Sequence, residues 1–269
     1  MAYRLHASIL AGLLTASGAA AQVADRAGNK MAPLAVIETV TPAEAVTRSA
    51  LHCTGERDLC LRARREGEAG WRLELHDRLP GGPDAAPPRR LPLAEGIDPD
   101  DEVAIWPHLV REAAGALIIG VEIYRRTGFS GGGAGETTLR LLRFATAQAG
   151  PAMLLELPYG YGALIRACFS EEDMAARSGA CHDEFEYGAS LMLDPATEAG
   201  PPAFLYSAHA RAYPRGALAE EDRRTLAPAD LVWEPDPACS YRRRIAPDAA
   251  TGGYAPDAPL PDCERYRIP

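Results

Sequence analysis

Apolar and polar residues alternate with period two along much of this chain. In HDEFEYGASLMLD, Phe185, Tyr187, Ala189, Leu191 and Leu193 fall on one face, while His182, Glu184, Glu186 and Ser190 fall on the other. That is the pattern of a half-buried strand. Leu59, Leu61 and Ala63 alternate, EGEAG supplies a turn, and Trp71, Leu73 and Leu75 alternate again, which predicts a hairpin. A second hairpin starts at Leu117, Ile119, Val121 and Ile123, crosses GFSGGGAGE as a flexible tip and returns through TTLRLLRF. Further strands are predicted at 151–157, 162–168, 203–213, 230–234 and 240–245, with turn residues in PATEAGPP and DAATGG.

Helical signals are few and short. Thr41, Pro42 and Glu44 form an N-cap, a first-turn proline and a capping box for a helix to about Ala50. Ser170, followed by Glu171, Glu172 and Asp173 and stopped by Gly179, predicts another. A turn or two is expected near 107–114 and 218–224. No amphipathic helix of 10 to 15 residues alternates with the strands, which argues against a parallel α/β sheet. The expected fold is mainly β: an antiparallel β-sandwich or curved barrel-like sheet with short helical inserts and disulfides. Residues 79–102 are rich in proline and glycine. They are read as a loop draped over a single domain spanning 22–269, because the stretch before them is too short to hold a substantial core.

The amino terminus adds a compartment. Arg4 precedes the apolar run Ile9–Leu14, and Ala19, Ala20 and Ala21 follow, as in a secretory signal peptide cut after Ala21. The apolar run is far shorter than the roughly 20 residues of a spanning helix, so no membrane span is expected. A periplasmic or secreted location follows. The six cysteines, Cys53, Cys60, Cys168, Cys181, Cys239 and Cys263, all lie beyond the signal. In an oxidising compartment an even count favours disulfides. Sequential pairing closes the shortest loops at least entropic cost, so 53 with 60, 168 with 181 and 239 with 263 are the expected bridges.

Charge narrows the partners. The formal net charge is −9 and Lys30 is the only lysine, with arginines scattered along the chain, so no nucleic-acid partner is expected. The arginines at 242–244 would be split between two faces of a strand. An outer-membrane barrel fits poorly with 23 prolines and an aromatic content of 7%.

Candidate chemistry is sparse. Gly128-Phe129-Ser130-Gly131-Gly132 matches G-x-S-x-G, and a hydrolase triad can be written as Ser130, His209 and Asp183, with Asp173 as another acid. The strand before the serine fits a nucleophile elbow, but the segment after it reads as a returning strand instead of a helix. The same loop carries Phe129 and Ser130 as candidate binding residues at an exposed tip. His182, Glu184 and Glu186 share a strand face, and Asp98, Asp100, Asp101 and Glu102 cluster, but neither group has the spacing of a zinc or EF-hand site. No metal and no cofactor are expected. YRRTGFSGGGAGETTLRLLRF, ACFSEEDMAARSGACHDEFEYGASLMLDP and DLVWEPDPACSYRRRIAPDAATGGYAPDAPLPDC resemble uncharacterised exported proteins of Gram-negative bacteria. That resemblance implies an envelope or extracellular location and carries no activity. The expected function is a non-enzymatic binding or envelope-associated module for a protein or small-molecule ligand; the alternative is a secreted serine hydrolase using Ser130.

Overall fold

The computed structural model describes residues 22–37, 50–67, 70–78, 80, 86–93, 96–145, 150–218 and 225–268. The signal segment and the helix expected from Thr41 lie outside these residues, as do most of the turn expected at 218–224 and part of the 79–102 loop.

The described chain is mainly β, in two antiparallel sheets with a β-sandwich-like arrangement. The larger sheet is built from β1 (Val23–Ala24), β2 (Lys30–Pro33), β8 (Glu102–Arg111), β9 (Leu117–Phe129), β10 (Gly132–Phe144), β11 (Ala152–Arg166), β12 (His182–Leu193), β13 (Phe204–Tyr213), β15 (Tyr241–Pro247) and β16 (Tyr254–Pro256), in that spatial order. The short β14 (Glu234–Pro235) pairs with β13. The smaller sheet is β3 (Ala35–Ile37), β4 (Leu51–Cys53), β5 (Cys60–Arg65), β6 (Trp71–His76) and β7 (Arg89–Pro92).

The middle of the large sheet is buried on both sides, and its sequence shows why. Adjacent residues Ile118 and Ile119 enter two different apolar clusters, as do Leu141 and Leu142. One cluster joins Ile105, Leu109, Ile119, Val121, Leu142 and Phe144 to Leu61, Ala63, Leu73 and Leu75 of the smaller sheet. The other joins Met31, Val110, Ile118, Leu139, Leu141, Leu155 and Leu157 to Leu191, Leu193, Phe204, Tyr206 and Ile245 at the far end of the same sheet. The large sheet therefore doubles back on itself. β11 makes the corner: it pairs with β10 along nearly its whole length but with β12 only from Gly160 to Arg166, and a register shift sits opposite Thr137 and Thr138. Bulges of this kind let one strand pass between two packed layers. At the opened end, the Ala27 N–H donates to the Thr197 carbonyl across 2.8 Å, tying the β2 side to the loop after β12.

All three disulfides join the expected partners, and no described cysteine is free. The predicted helix is α1 (Glu171–Ala176), capped by Ser170, whose hydroxyl accepts from the Asp173 N–H. Several expectations need correction. The segments at 151–157 and 162–168 are one strand, because Pro158 sits at the bulge and the chain stays extended through Tyr159, Gly160 and Tyr161. Residues 107–111 are strand and only 112–115 turn. At 230–234 a 3-10 turn (Pro228–Asp230) and coil replace most of the expected strand. GFSGGGAGE is no flexible tip: Gly132, Gly133 and Gly135 lie within β10, and only Ser130 and Gly131 separate the strands.

Candidate functional site

Glycines are unfavourable inside strands, so a concentration of them on one sheet face calls for an explanation. Directly paired residues share a face, and the registers of β9 to β13 give three rows across the sheet. The first runs Tyr124, Thr137, Gly160, Gly188, His209; the second Arg126, Gly135, Gly162, Glu186, Arg211; the third Gly128, Gly133, Leu164, Glu184, Tyr213. Six of these fifteen positions are glycine. The opposite face carries Ala134, Ala163, Phe185 and Ala212, all buried. There the carboxy-terminal Tyr266 packs on Tyr161, Phe185 and Tyr187, held nearby by the Cys239–Cys263 bridge. The glycine face is the outward one, with Gly162, Leu164, His209 and Arg211 exposed.

Two side chains use the missing Cβ atoms. Tyr124 lies across Gly135, where a Cβ would come within 2.3 Å of its hydroxyl and 2.7 Å of its ring. His209 lies across Gly188, where a Cβ would stand 2.8 Å from Cε1 and Nε2. Between them the floor is open. A Cβ at Gly162 would meet nothing within 4 Å, and one at Gly160 would touch only the Thr137 side chain at 3.4 Å. From strand spacing and rise, the two covered glycines stand about 12 Å apart. The result is a shallow trough with a bare backbone floor and a ring at each side.

Two arginines around the trough are paired with carboxylates. Arg211 donates from Nε to Glu186 at 2.7 Å and lies over the Trp233 ring at 4.4 Å, and Trp233 in turn contacts Tyr213. Arg126 stands 3.8 Å from Glu102. Below the first row, Glu122 occupies the same face opposite Leu139, and burial pushes its carboxyl above the usual range. Tyr159, the extra residue of the β11 bulge, accepts a 3.0 Å hydrogen bond from the Trp106 indole N–H, and burial pushes its phenol up as well.

The sequence-derived candidates fall elsewhere or apart. Ser130 is exposed in the two-residue tip, and Phe129, 46% exposed, lies over Gly132. Asp183 pairs with Ile165 on the face opposite to the trough and its carboxylate is bound by Arg177; His209 is on the trough face of β13, three strands away from the β9–β10 hairpin. Asp173 is occupied as a cap, accepting from the Phe169 N–H at 2.9 Å. Ser130, His209 and Asp183 are thus not brought together, and strand β10, not a helix, follows the serine. His182, Glu184 and Glu186 do share a face, and no group of three His, Cys, Asp or Glu suited to a metal occurs among the described residues. Asp101 is buried against Arg125 instead of joining Asp98 and Asp100 in a cation site.

Two distant motifs do meet at the tip end. The Arg166 N–H donates to the Gly131 carbonyl at 2.6 Å, linking GFSGG to the stretch that leads into Cys168. Beside the Cys168–Cys181 bridge lies a cleft of about 440 Å³ lined by Arg166, Phe169, Glu171, Met174 and His182, with the Arg166 guanidinium 5.2 Å from the Phe169 ring centre. The trough itself escaped the sequence reading. Its trace is the one-sided spacing in GGAGE and YGYG, where every second residue loses its side chain while Ala134, Tyr159 and Tyr161 keep theirs. No family model, curated protein or solved structure matches this chain.

Proposed function

We propose that this protein is an exported, non-enzymatic binding module, acting in the periplasm or outside the cell, and that its recognition surface is the glycine face of β9 to β13. The observation that carries the reading is the open floor at Gly160 and Gly162 between Tyr124 and His209. A strand-interior glycine that its own fold does not require marks a place where something else approaches the backbone. Three paired disulfides support an oxidising compartment, and the signal-like start of the sequence supports export.

The test has two parts. Mature protein recovered from a Gram-negative host should begin at Gln22 and reside in the periplasm or medium; an uncut, cytosolic product overturns export. Purified protein should sediment with a Gram-negative envelope fraction and lose that property in Tyr124→Ala and His209→Ala. Absent sedimentation, or sedimentation unaffected by both variants, overturns the assignment of this face.

A further inference from the structure

We infer that the Cys168–Cys181 bridge is a reversible thiol–disulfide exchange site, opened by a dithiol that reaches it through the cleft beside α1. This goes beyond the reading of the glycine face and uses none of its residues.

The three bridges differ in access. Cys53, Cys60, Cys168, Cys239 and Cys263 are buried, none more than 8% exposed, and Cys181 alone is not. Cys168 and Cys181 also line the cleft of about 440 Å³, together with Arg166, Phe169, Met174 and His182. That volume lies within the roughly 300–1,000 Å³ of small-ligand sites, so a thiolate can stand against Cys181 without any unfolding. Cys263, by contrast, borders a space of about 10 Å³, that of one water, and Cys53 and Cys60 are wholly buried. Exchange needs a line of approach to a sulfur, so an exposed bridge is the labile one.

Charge sets the direction of attack. Arg166 donates from Nε to the Cys168 carbonyl at 2.7 Å, which keeps a guanidinium beside Cys168. A cation there stabilises a departing thiolate, and thiols of lower pKa leave faster. The dithiol's thiolate therefore attacks Cys181 Sγ, the sulfur–sulfur bond breaks, and the electron pair leaves on Cys168 Sγ, which takes a proton from water. The second thiol of the reductant, as thiolate, then attacks its own partner sulfur in the mixed disulfide, and Cys181 departs as a thiolate and is protonated. The bridge gains two electrons and two protons, and the dithiol loses the same two and becomes a disulfide.

The fold keeps the freed thiols together. β11 and β12 are paired up to Arg166 and His182, and the Ala167 N–H donates to the Cys181 carbonyl at 2.9 Å. The loop between the cysteines is held by the Leu226 N–H on the Ala176 carbonyl at 2.8 Å, and by Arg177, which is buried and paired with Asp183. None of these contacts needs the sulfurs, so the bridge closes again when a disulfide oxidant is supplied. What reduction loosens is the α1 segment, with the exposed Phe169 and Met174.

Differential alkylation tests this on the mature protein under native conditions. Dithiothreitol is the dithiol probe; timed samples are blocked with N-ethylmaleimide, and each bridge is followed by peptide mass mapping. Cys168 and Cys181 should be blocked together, at least about tenfold faster than the other four, with the far-ultraviolet circular dichroism of the sheets retained. Replacing dithiothreitol with glutathione disulfide should restore the bridge. Arg166→Ala should slow its opening severalfold and Arg166→Lys should not, whereas losing an arginine that merely braced the loop would speed it. Opening of another bridge first, of all three together or only with loss of the sheet signal, failure to re-form, or unchanged or faster opening in Arg166→Ala overturns the inference.

Discussion

The same substitution, Gly to Ala, should have opposite effects at two positions two strands apart in one sheet. At Gly162 the added methyl meets nothing within 4 Å and the backbone φ is one that alanine adopts. The change then acts through the unfolded chain, which loses conformational freedom, and stabilises by about 0.4–1 kcal/mol. At Gly120 the methyl would stand 2.7 Å from Trp106 Cβ and 2.9 Å from its Cε3. Trp106 is 0% exposed and anchored to Tyr159 through its indole N–H, and the nearest contact is to its Cβ, so it has no room to turn away. Overpacking of this kind costs about 1–3 kcal/mol, and a strained Trp106–Tyr159 hydrogen bond adds about 1 kcal/mol. After the same unfolded-state gain, Gly120→Ala should destabilise by about 1–3.5 kcal/mol. In a domain of this size, 1 kcal/mol corresponds to about 2–4 °C in Tm. Thermal unfolding followed by circular dichroism, with disulfides intact, should therefore show Gly162→Ala slightly above and Gly120→Ala well below the natural protein. If both variants move in the same direction, or Gly162→Ala loses more than about 1 kcal/mol, the division into open and filled glycines is wrong.

Other measurements address other parts of the structure. Glu74 is fully buried between Arg62 and Arg90; burial alone would raise its carboxyl, but the Arg62 hydrogen bond and the surrounding guanidinium charges outweigh it and hold it low. Its contribution is present above the ordinary carboxylate range and is lost on acidification, and Glu74→Ala, which strands those arginines, should cost about 2–4 kcal/mol in urea unfolding. Glu122 is raised by burial, so its contribution runs the other way, greatest in acid and declining as pH rises; Glu122→Gln should raise Tm at neutral pH and leave it little changed in acid. Burial pushes the phenols of Tyr187, Tyr206, Tyr254 and Tyr266 above the ordinary tyrosine value of about 10. Their stabilisation is complete below that pH and is lost above it, so tyrosinate absorbance should develop for these four together with unfolding and not before. A fluorophosphonate should label native protein no more than Ser130→Ala does, since Ser130, His209 and Asp183 are not brought together; Ser130-dependent labelling would restore the hydrolase reading.

Local patterning alone decided a good deal here. Period-two alternation in the segments that became β5, β6, β12 and β13 reports one buried face per strand, a local property that survives whatever packs against it. Six cysteines in three close pairs leave sequential bridging as the easiest closure, and Ser170 with three acids behind it caps a helix regardless of context. Other features depend on contacts between distant segments. The middle of β9 is buried on both sides, and the period-two set Leu117, Ile119, Val121 and Ile123 gives no sign that Ile118 packs into a second cluster. Pro158 and the glycines after it read as a break, yet pairing with β10 and β12 holds that chain extended and makes it the corner of the fold. The same pairing turns GGGAG from a loose tip into part of a floor. Which glycines are filled by Trp106, Tyr124 and His209, and which are left open, is settled only when five strands align in register, because a missing side chain carries no signal about what occupies its place.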